Sequence, residues 1–252
     1  MKNDIRIAAA QTVDQHNFQA NLVQHCRFIE AAGREGVELL VFPELSLTGY
    51  HREQASALSV EMTSPGLEAL RRVSASSDVV AVAGAPLMVD GRLFIASMVI
   101  MPDGSMTSYC KQHLHPGEDL FFHPGSAGPA NLESMGVALA ICADTNFPEH
   151  AATASALSAS IYAASCLITS RGYDQDSAQL SAYAAKHAYA VLLANHGGST
   201  GGFEVAGKSA IWDEQGNCVS AALSTGAHLV IGERSSGQWT GRVMPQPFHE
   251  PI

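Results

Sequence analysis

The chain has 252 residues, 46% hydrophobic and 15% charged, with a formal net charge of −10. That apolar content supplies a sizeable core and argues against intrinsic disorder. The acidic balance argues against nucleic acid or anionic lipid as a bulk partner, because both require concentrated Lys and Arg.

In chain order, residues 5–10 read as a buried strand. Residues 17–32 read as a helix, with Phe18, Leu22, Cys26 and Ile29 recurring near helical spacing. Residues 37–42 form a second buried strand, ended by Pro43. Residues 65–77 are predicted as a helix and 79–83 as a strand. Residues 93–101 and 105–110 are strands joined by the turn signal Pro102-Asp103-Gly104. A strand at 137–142, a helix at 149–159, a strand at 166–169, a helix at 178–188 and a strand at 191–195 follow. A second hairpin is read at 208–212 and 217–222, and a last strand at 228–232. The Pro-rich residues 244–252 read as a C-terminal arm. Strand–helix alternation with inserted hairpins and no composition shift predicts a single α/β domain over 1–252, with mixed sheets and helices outside. The glycine-dense loop 197–202 lacks the Lys-Ser/Thr ending of a phosphate loop.

Five cysteines, Cys26, Cys110, Cys142, Cys166 and Cys218, are scattered without CxxC spacing. They read as reduced thiols rather than a disulfide framework or zinc knuckle. The N-terminus has charges where a signal peptide needs an apolar run, and no apolar stretch is long enough to span a bilayer. The expectation is a cytoplasmic protein without a membrane partner.

The apolar run Gly136 to Ile141 delivers Cys142 to a strand end, and Pro148-Glu149 opens a helix shortly after. A thiol at such a junction lies near backbone N–H groups that favour a thiolate and can hold an oxyanion. Glu44, in Val41-Phe42-Pro43-Glu44-Leu45, follows a buried strand; it reads either as a general base of raised pKa or as a loop acid. Lys111, in Tyr109-Cys110-Lys111-Gln112-His113-Leu114, reads either as an oxyanion-holding cation or as a surface lysine. Glu118, ahead of Phe121 and Phe122, is either buried against a cation or a solvated turn acid. His113, His115 and His123 lack metal-site spacing and read as loop histidines. Cys26, Cys166 and Cys218 read as packing residues, and alternation turns Cys110 away from the face of Lys111.

In this order and with these flanks, the motifs resemble the nitrilase-like carbon–nitrogen hydrolases over nearly the whole chain. The F-P-E, K-x-H-L and I-C-x-D contexts of that family's Glu-Lys-Cys triad fall on Glu44, Lys111 and Cys142, with Phe147-Pro148-Glu149 after the cysteine and Glu118 as a second glutamate near the lysine. The resemblance implies a four-layer α-β-β-α sandwich with two mixed sheets. It implies a thioester on Cys142, Glu44 as proton carrier, Lys111 and the Ala143 N–H on the oxyanion, and Glu118 orienting Lys111 or the substrate. It further implies no metal, no cofactor, a small-molecule amide substrate, and a homodimer or higher homo-oligomer. Nitrile-hydrolysing members carry Trp-Glu after the cysteine; Ala143-Asp144 here favours an amide. Thr145-Asn146 stands where carboxylate-binding members carry an arginine, which leaves Arg171 as a replacement guanidinium or a surface residue. Tyr50, Asn146 and Phe147 are candidate pocket residues, and Asp174 or Asp176 would suit an amine-bearing substrate. Acyl transfer to an amine and a non-catalytic binding protein are the alternative readings.

Overall fold

The computed structural model describes residues 4–126, 128, 131–132 and 134–248. Thirteen strands form two mixed sheets between two helical layers, an α-β-β-α sandwich. The first sheet contains β1 (Ile5–Gln11), β2 (Leu39–Val41), β3 (Val80–Val89), β4 (Arg92–Ile100), β5 (Met106–Cys110), β12 (His228–Ser235) and β13 (Gln238–Pro245). Its order is β13-β12-β1-β2-β3-β4-β5, parallel from β1 to β3 and antiparallel elsewhere. The second sheet contains β6 (Asn131–Leu132), β7 (Val137–Ile141), β8 (Ile161–Cys166), β9 (Ala190–Asn195), β10 (Ala210–Trp212) and β11 (Cys218–Ala221). Its order is β11-β10-β9-β8-β7-β6, parallel from β7 to β9.

Alternation along the strands builds two cores. Ile5, Ile7, Ala9, Leu39, Val41, Val80 and Val82 face the second sheet. Their sequence neighbours Ala8, Ala10, Leu40, Phe42, Ala81 and Ala83 pack under α1 (Phe18–Arg34) and α2 (Gly66–Ser77). α3 (Pro148–Ala156) and α4 (Tyr173–His187) cover the second sheet, supplying Ala151, Ala154, Leu180 and Ala184 to its core. Strands buried on both faces read as continuous apolar runs, which is why β1, β2 and β9 are legible in sequence.

Helix α1 begins where Asn17 accepts a hydrogen bond from the Ala20 N–H. Its buried face contains Asn21 and His25, not Cys26, which is half-buried. Burial lowers His25 to about pH 4, so the ring is neutral. Its Nδ1 bonds the Asn21 carbonyl at 2.7 Å and its Nε2 meets Ser46 Oγ at 2.9 Å. Ser46 Oγ in turn accepts the Gly84 N–H at 3.3 Å, linking helix, loop and β3 just behind Glu44.

Three expectations change. The strand expected at 166–169 ends at Cys166 and occupies Ile161–Cys166; its Ala- and Ser-rich residues extend the helical pattern before them, while a doubly buried parallel strand accepts them. Residues 167–169 instead leave the sheet. Strand β13 is missing from the sequence reading because its side chains are mostly exposed and lack alternation. It pairs with β12 from Ser235↔Gln238 to His228↔Pro245, so Met244 and Pro245 belong to the sheet rather than to an arm. Phe248 packs edge-on against Phe28 of α1 at 4.7 Å, and residues 249–252 of the expected arm lie outside the described residues. No helix among the described residues is long and apolar enough to cross a membrane.

Gly84 on β3 faces the loop that carries Glu44: a Cβ there would lie 2.5 Å from both the Leu45 nitrogen and the Pro43 oxygen. Gly84→Ala is expected to destabilise the fold by about 1–3 kcal/mol through overpacking and to displace Glu44. Chemical denaturation checks the first effect, and a native-like midpoint would refute this account of the packing.

Candidate active site

The candidate residues leave their sheets at one end. Glu44 follows β2, Lys111 follows β5, Cys142 follows β7 and Cys166 closes β8. β5 runs parallel to β3 because two antiparallel steps separate them, so all four strands deliver their carboxyl ends, where α/β sheets ordinarily bind ligands.

Backbone constraint accompanies this placement. Leu45 and Cys142 are in the left-handed region, at φ 51° and 43°, a conformation that costs energy in non-glycine residues and persists where the surroundings hold it. Asp144 supplies the hold at Cys142. Its Oδ2 accepts from the Ile141 N–H (3.0 Å) and the Tyr109 hydroxyl (2.7 Å), and its Oδ1 from the N–H groups of Gln112 (3.1 Å) and His113 (2.9 Å). One buried carboxylate thus fastens the turn Cys142–Asn146 to the segment bearing Lys111.

Lys111 is fully buried between two buried carboxylates. Its Nζ lies 2.6 Å from Glu44 Oε1, and 2.8 and 2.9 Å from the two oxygens of Glu118. Glu118 also accepts from the His115 N–H at 2.7 Å and from the Tyr50 hydroxyl. Glu44 Oε2 has no hydrogen-bond partner among the described residues. The Glu44 carbonyl is bonded by His196 Nε2 at 2.7 Å, which fixes the main chain below it.

Burial by itself would lower the Lys111 ammonium, but Glu44, Cys142 and Glu118 outweigh it and raise it. Burial and then the Cys142 charge push Glu44 well above the usual carboxylate range, against the pull of Lys111. A hydrogen bond from the Cys166 thiol, then the Lys111 and His115 charges, hold Cys142 well below the thiol range in spite of burial. His115 Nε2 is 3.5 Å from the Cys142 sulfur and is raised chiefly by that contact. The two directions together favour a proton on Glu44 over one on the Cys142 sulfur.

Cys142 and Glu44 open into a cavity of about 300 Å³, also lined by Tyr50, Arg52, Asn146, Asp176 and Phe203. That volume matches a small ligand. Arg52 lies over the Tyr50 and Phe203 rings, 5.6 and 5.8 Å from their centroids. The loop presenting Tyr50 and Arg52 is tied down through the Tyr50 N–H to Thr200 Oγ (2.9 Å) and from Thr200 to Asp14 (2.7 Å). The glycine loop serves this contact: a Cβ on Gly201 would collide with the Tyr50 carbonyl.

The structure therefore brings together Glu44, Lys111, Glu118 and Cys142, with Tyr50 and Asn146 at the cavity and Ala143 buried in the turn beside Cys142. Tyr50 offers its ring, since its hydroxyl is committed to Glu118. Phe147 and Arg171 do not line the cavity. Phe147 stacks on His113 at 3.7 Å, and Arg171 is exposed on the loop before α4, because the chain turns outward beyond Thr169. The three loop histidines separate: His115 meets Cys142, His113 meets Phe147 and His123 faces Phe94. Arg52, Phe203 and Cys166 join the cavity with no local sequence signal; only Arg52's place two residues after Tyr50 hinted at it.

The carbon–nitrogen hydrolase family profile matches residues 6–241, and the chain belongs to that family. Among individual proteins, the chain is similar to a nitrilase from Pyrococcus abyssi (strain GE5 / Orsay), 34% identical over 133 residues, covering 50% of this chain and 51% of that protein. It is also similar to an (R)-stereoselective amidase from Pseudomonas sp, 32% identical over 114 residues, covering 44% and 42% respectively. The matches thus span about half the length of these curated relatives. Among solved structures, a glutamate-to-leucine variant of the amidase from Nesterenkonia sp. AN1 superposes with a TM-score of 0.82 at 25% identity, over 91% of this chain and 90% of that one. In that structure the acetamide moiety of fluoroacetamide is added covalently at the active-site cysteine.

A thiol held well below its usual range stays ionised as pH falls towards that lowered value. Iodoacetamide is accordingly expected to alkylate Cys142 at nearly constant rate from pH 8 to pH 6.5, where an ordinary thiol with pKa of about 8.5 loses about tenfold per unit. Peptide mass analysis resolves the five cysteines; a tenfold decline per unit at Cys142 would contradict the assignment.

Proposed function

We propose that this chain hydrolyses the C–N bond of a small amide through a thioester on Cys142. The observation that carries the reading is the meeting of Cys142 and the unpartnered Glu44 Oε2 at one cavity, with Lys111 bonded to Glu44 behind them.

With the shared proton on Glu44, the Cys142 thiolate attacks the amide carbonyl. Lys111 and the Ala143 N–H, near the start of the turn Cys142–Asn146, stabilise the oxyanion. Glu44 gives its proton to the leaving nitrogen, the carbonyl re-forms, and ammonia or an amine departs. The Glu44 carboxylate then takes a proton from water as the oxygen attacks the thioester. Collapse of that second intermediate releases the acid, restoring the Cys142 thiolate and protonated Glu44. Glu118, gripping Lys111 with both oxygens, is a positioning residue. The acetamide adduct at the cysteine of the Nesterenkonia amidase keeps its amide nitrogen, so what it supports is a nucleophilic cysteine that a small amide can approach.

Cys142→Ala is expected to abolish ammonia release over a panel of aliphatic amides, ω-amides and carbamoyl compounds. Glu44→Gln is expected to lower turnover by about 10²–10⁴-fold through loss of proton transfer. Ammonia release that survives Cys142→Ala would overturn the proposal. Rapid product formation only when an amine is supplied would instead assign acyl transfer by the same thioester.

The cavity is also lined by two ionisable side chains, Arg52 and Asp176. Burial, then the Cys142 charge, raises Asp176. These groups favour substrates bearing a charge complementary to one or the other. Asp176→Asn is expected to lower the preference for amine-bearing over neutral amides by about 10–100-fold, the worth of one charge-assisted hydrogen bond. Arg52→Gln is expected to do the same for carboxylate-bearing amides. The ratio of kcat/KM values measures each effect, and unchanged ratios in both variants would remove charge recognition from the reading.

A further inference from the structure

We propose that Cys142 and Cys166 form a redox pair, which peroxide closes to a disulfide and a small thiol reopens, so that the reactive cysteine is reversibly masked. The inference treats Cys142 as an accessible thiol and does not depend on amide hydrolysis.

The pairing follows from strand register. β7 and β8 run parallel, and their last ladder pair is Ile141↔Ser165. Cys142 and Cys166 are the next residue on each chain. Neighbouring strands lie about 4.8 Å apart, and disulfides accept Cα separations of roughly 4.4–6.8 Å. Both cysteines line the same cavity. Each thiol shifts the other's ionisation, Cys142 downward and Cys166 upward. Peroxide reaches Cys142 through the opening that would admit a substrate, while Cys166 is fully buried beside it.

The other cysteines are elsewhere. Cys26 and Cys110 pack on the core beneath α1 and α2, on the far side of the first sheet, and Cys218 is exposed on β11. They serve as internal controls.

In the first step the Cys142 thiolate attacks one oxygen of hydrogen peroxide. The O–O bond breaks, hydroxide leaves, and Cys142 becomes a sulfenic acid. In the second, the Cys166 sulfur attacks the sulfenic sulfur, the S–O bond breaks, and the departing hydroxide takes the Cys166 proton and leaves as water. Two electrons pass from the sulfurs to the peroxide, and an S–S bond forms. A dithiol reverses the closure by thiol–disulfide exchange. Because the second sulfur is already alongside, closure competes with further oxidation of Cys142 to the sulfinic acid, which a thiol does not reverse.

The test exposes the full chain to a molar excess of hydrogen peroxide, at least about two per chain because sulfinic acid consumes two, at neutral pH, alkylates the remaining thiols, and maps the peptides with and without dithiothreitol. The expected product joins the Cys142 and Cys166 peptides, lighter by two hydrogen atoms than the reduced pair, and dithiothreitol restores alkylation of both. In Cys166→Ser the linked peptide is absent and Cys142 accumulates as sulfinic acid. Cys166→Ala repeats the comparison without a buried hydroxyl. Sulfinic acid on Cys142 in the natural chain, with Cys166 still free, would overturn the proposal. So would a bridge to Cys110, or two thiols that both remain alkylatable. These readouts are masses, so inactivity towards every amide would defeat the proposed function and leave this test intact.

Discussion

A buried ammonium between two buried carboxylates organises this end of the molecule. Lys111 is wholly removed from water, and such a charge is tolerated only when its partners are close and well directed. Glu44 and Glu118 meet that condition from the ends of different segments. Removing one partner of a buried pair ordinarily costs about 3–5 kcal/mol, so the ion cluster fixes the ends of β2 and β5 as firmly as the apolar layers fix their middles. Tyr50 and the His115 N–H complete Glu118 and bring the cavity wall into the same network.

The cluster has an electrostatic consequence for Cys142. Two carboxylates facing one ammonium leave an excess of negative charge, and a thiolate adds more. Burial and the Cys142 charge accordingly raise Glu44, and Cys166, Lys111 and His115 around the sulfur lower Cys142. A raised carboxyl beside a lowered thiol is the pairing that proton exchange between the two groups favours. Asp144 makes the arrangement durable: four hydrogen bonds tie the constrained turn at Cys142 to the segment that carries Lys111. Local backbone strain at Cys142 is thus held by polar contacts as well as by packing in the core.

Much of this was legible in the chain because it is local. Buried parallel strands announce themselves as apolar runs, and the three short motifs around Glu44, Lys111 and Cys142 each place a reactive group just beyond one. The misread elements have a common cause. β8 is built of small residues that also suit a helix, and β13 is an exposed edge strand whose pairing with β12 comes from the turn and register, not from a hydrophobic pattern. Phe147 and Arg171 looked like cavity residues through their nearness in sequence to Cys142 and Thr169. The chain direction after each of those positions takes them elsewhere.

What the sequence by itself determined was the set of reactive groups and their family, because each motif is a contiguous stretch whose chemistry survives without knowledge of its neighbours. Whether Glu44 was a base or a loop acid, and Lys111 a buried cation or a surface one, was open at that level. Only the tertiary structure showed that both groups are buried and bonded to each other, since those properties depend on how distant segments pack together. The same holds for Arg52, Asp176 and Cys166. Each gains its place from register and packing across the two sheets, and those long-range contacts leave no mark on the residues immediately beside them.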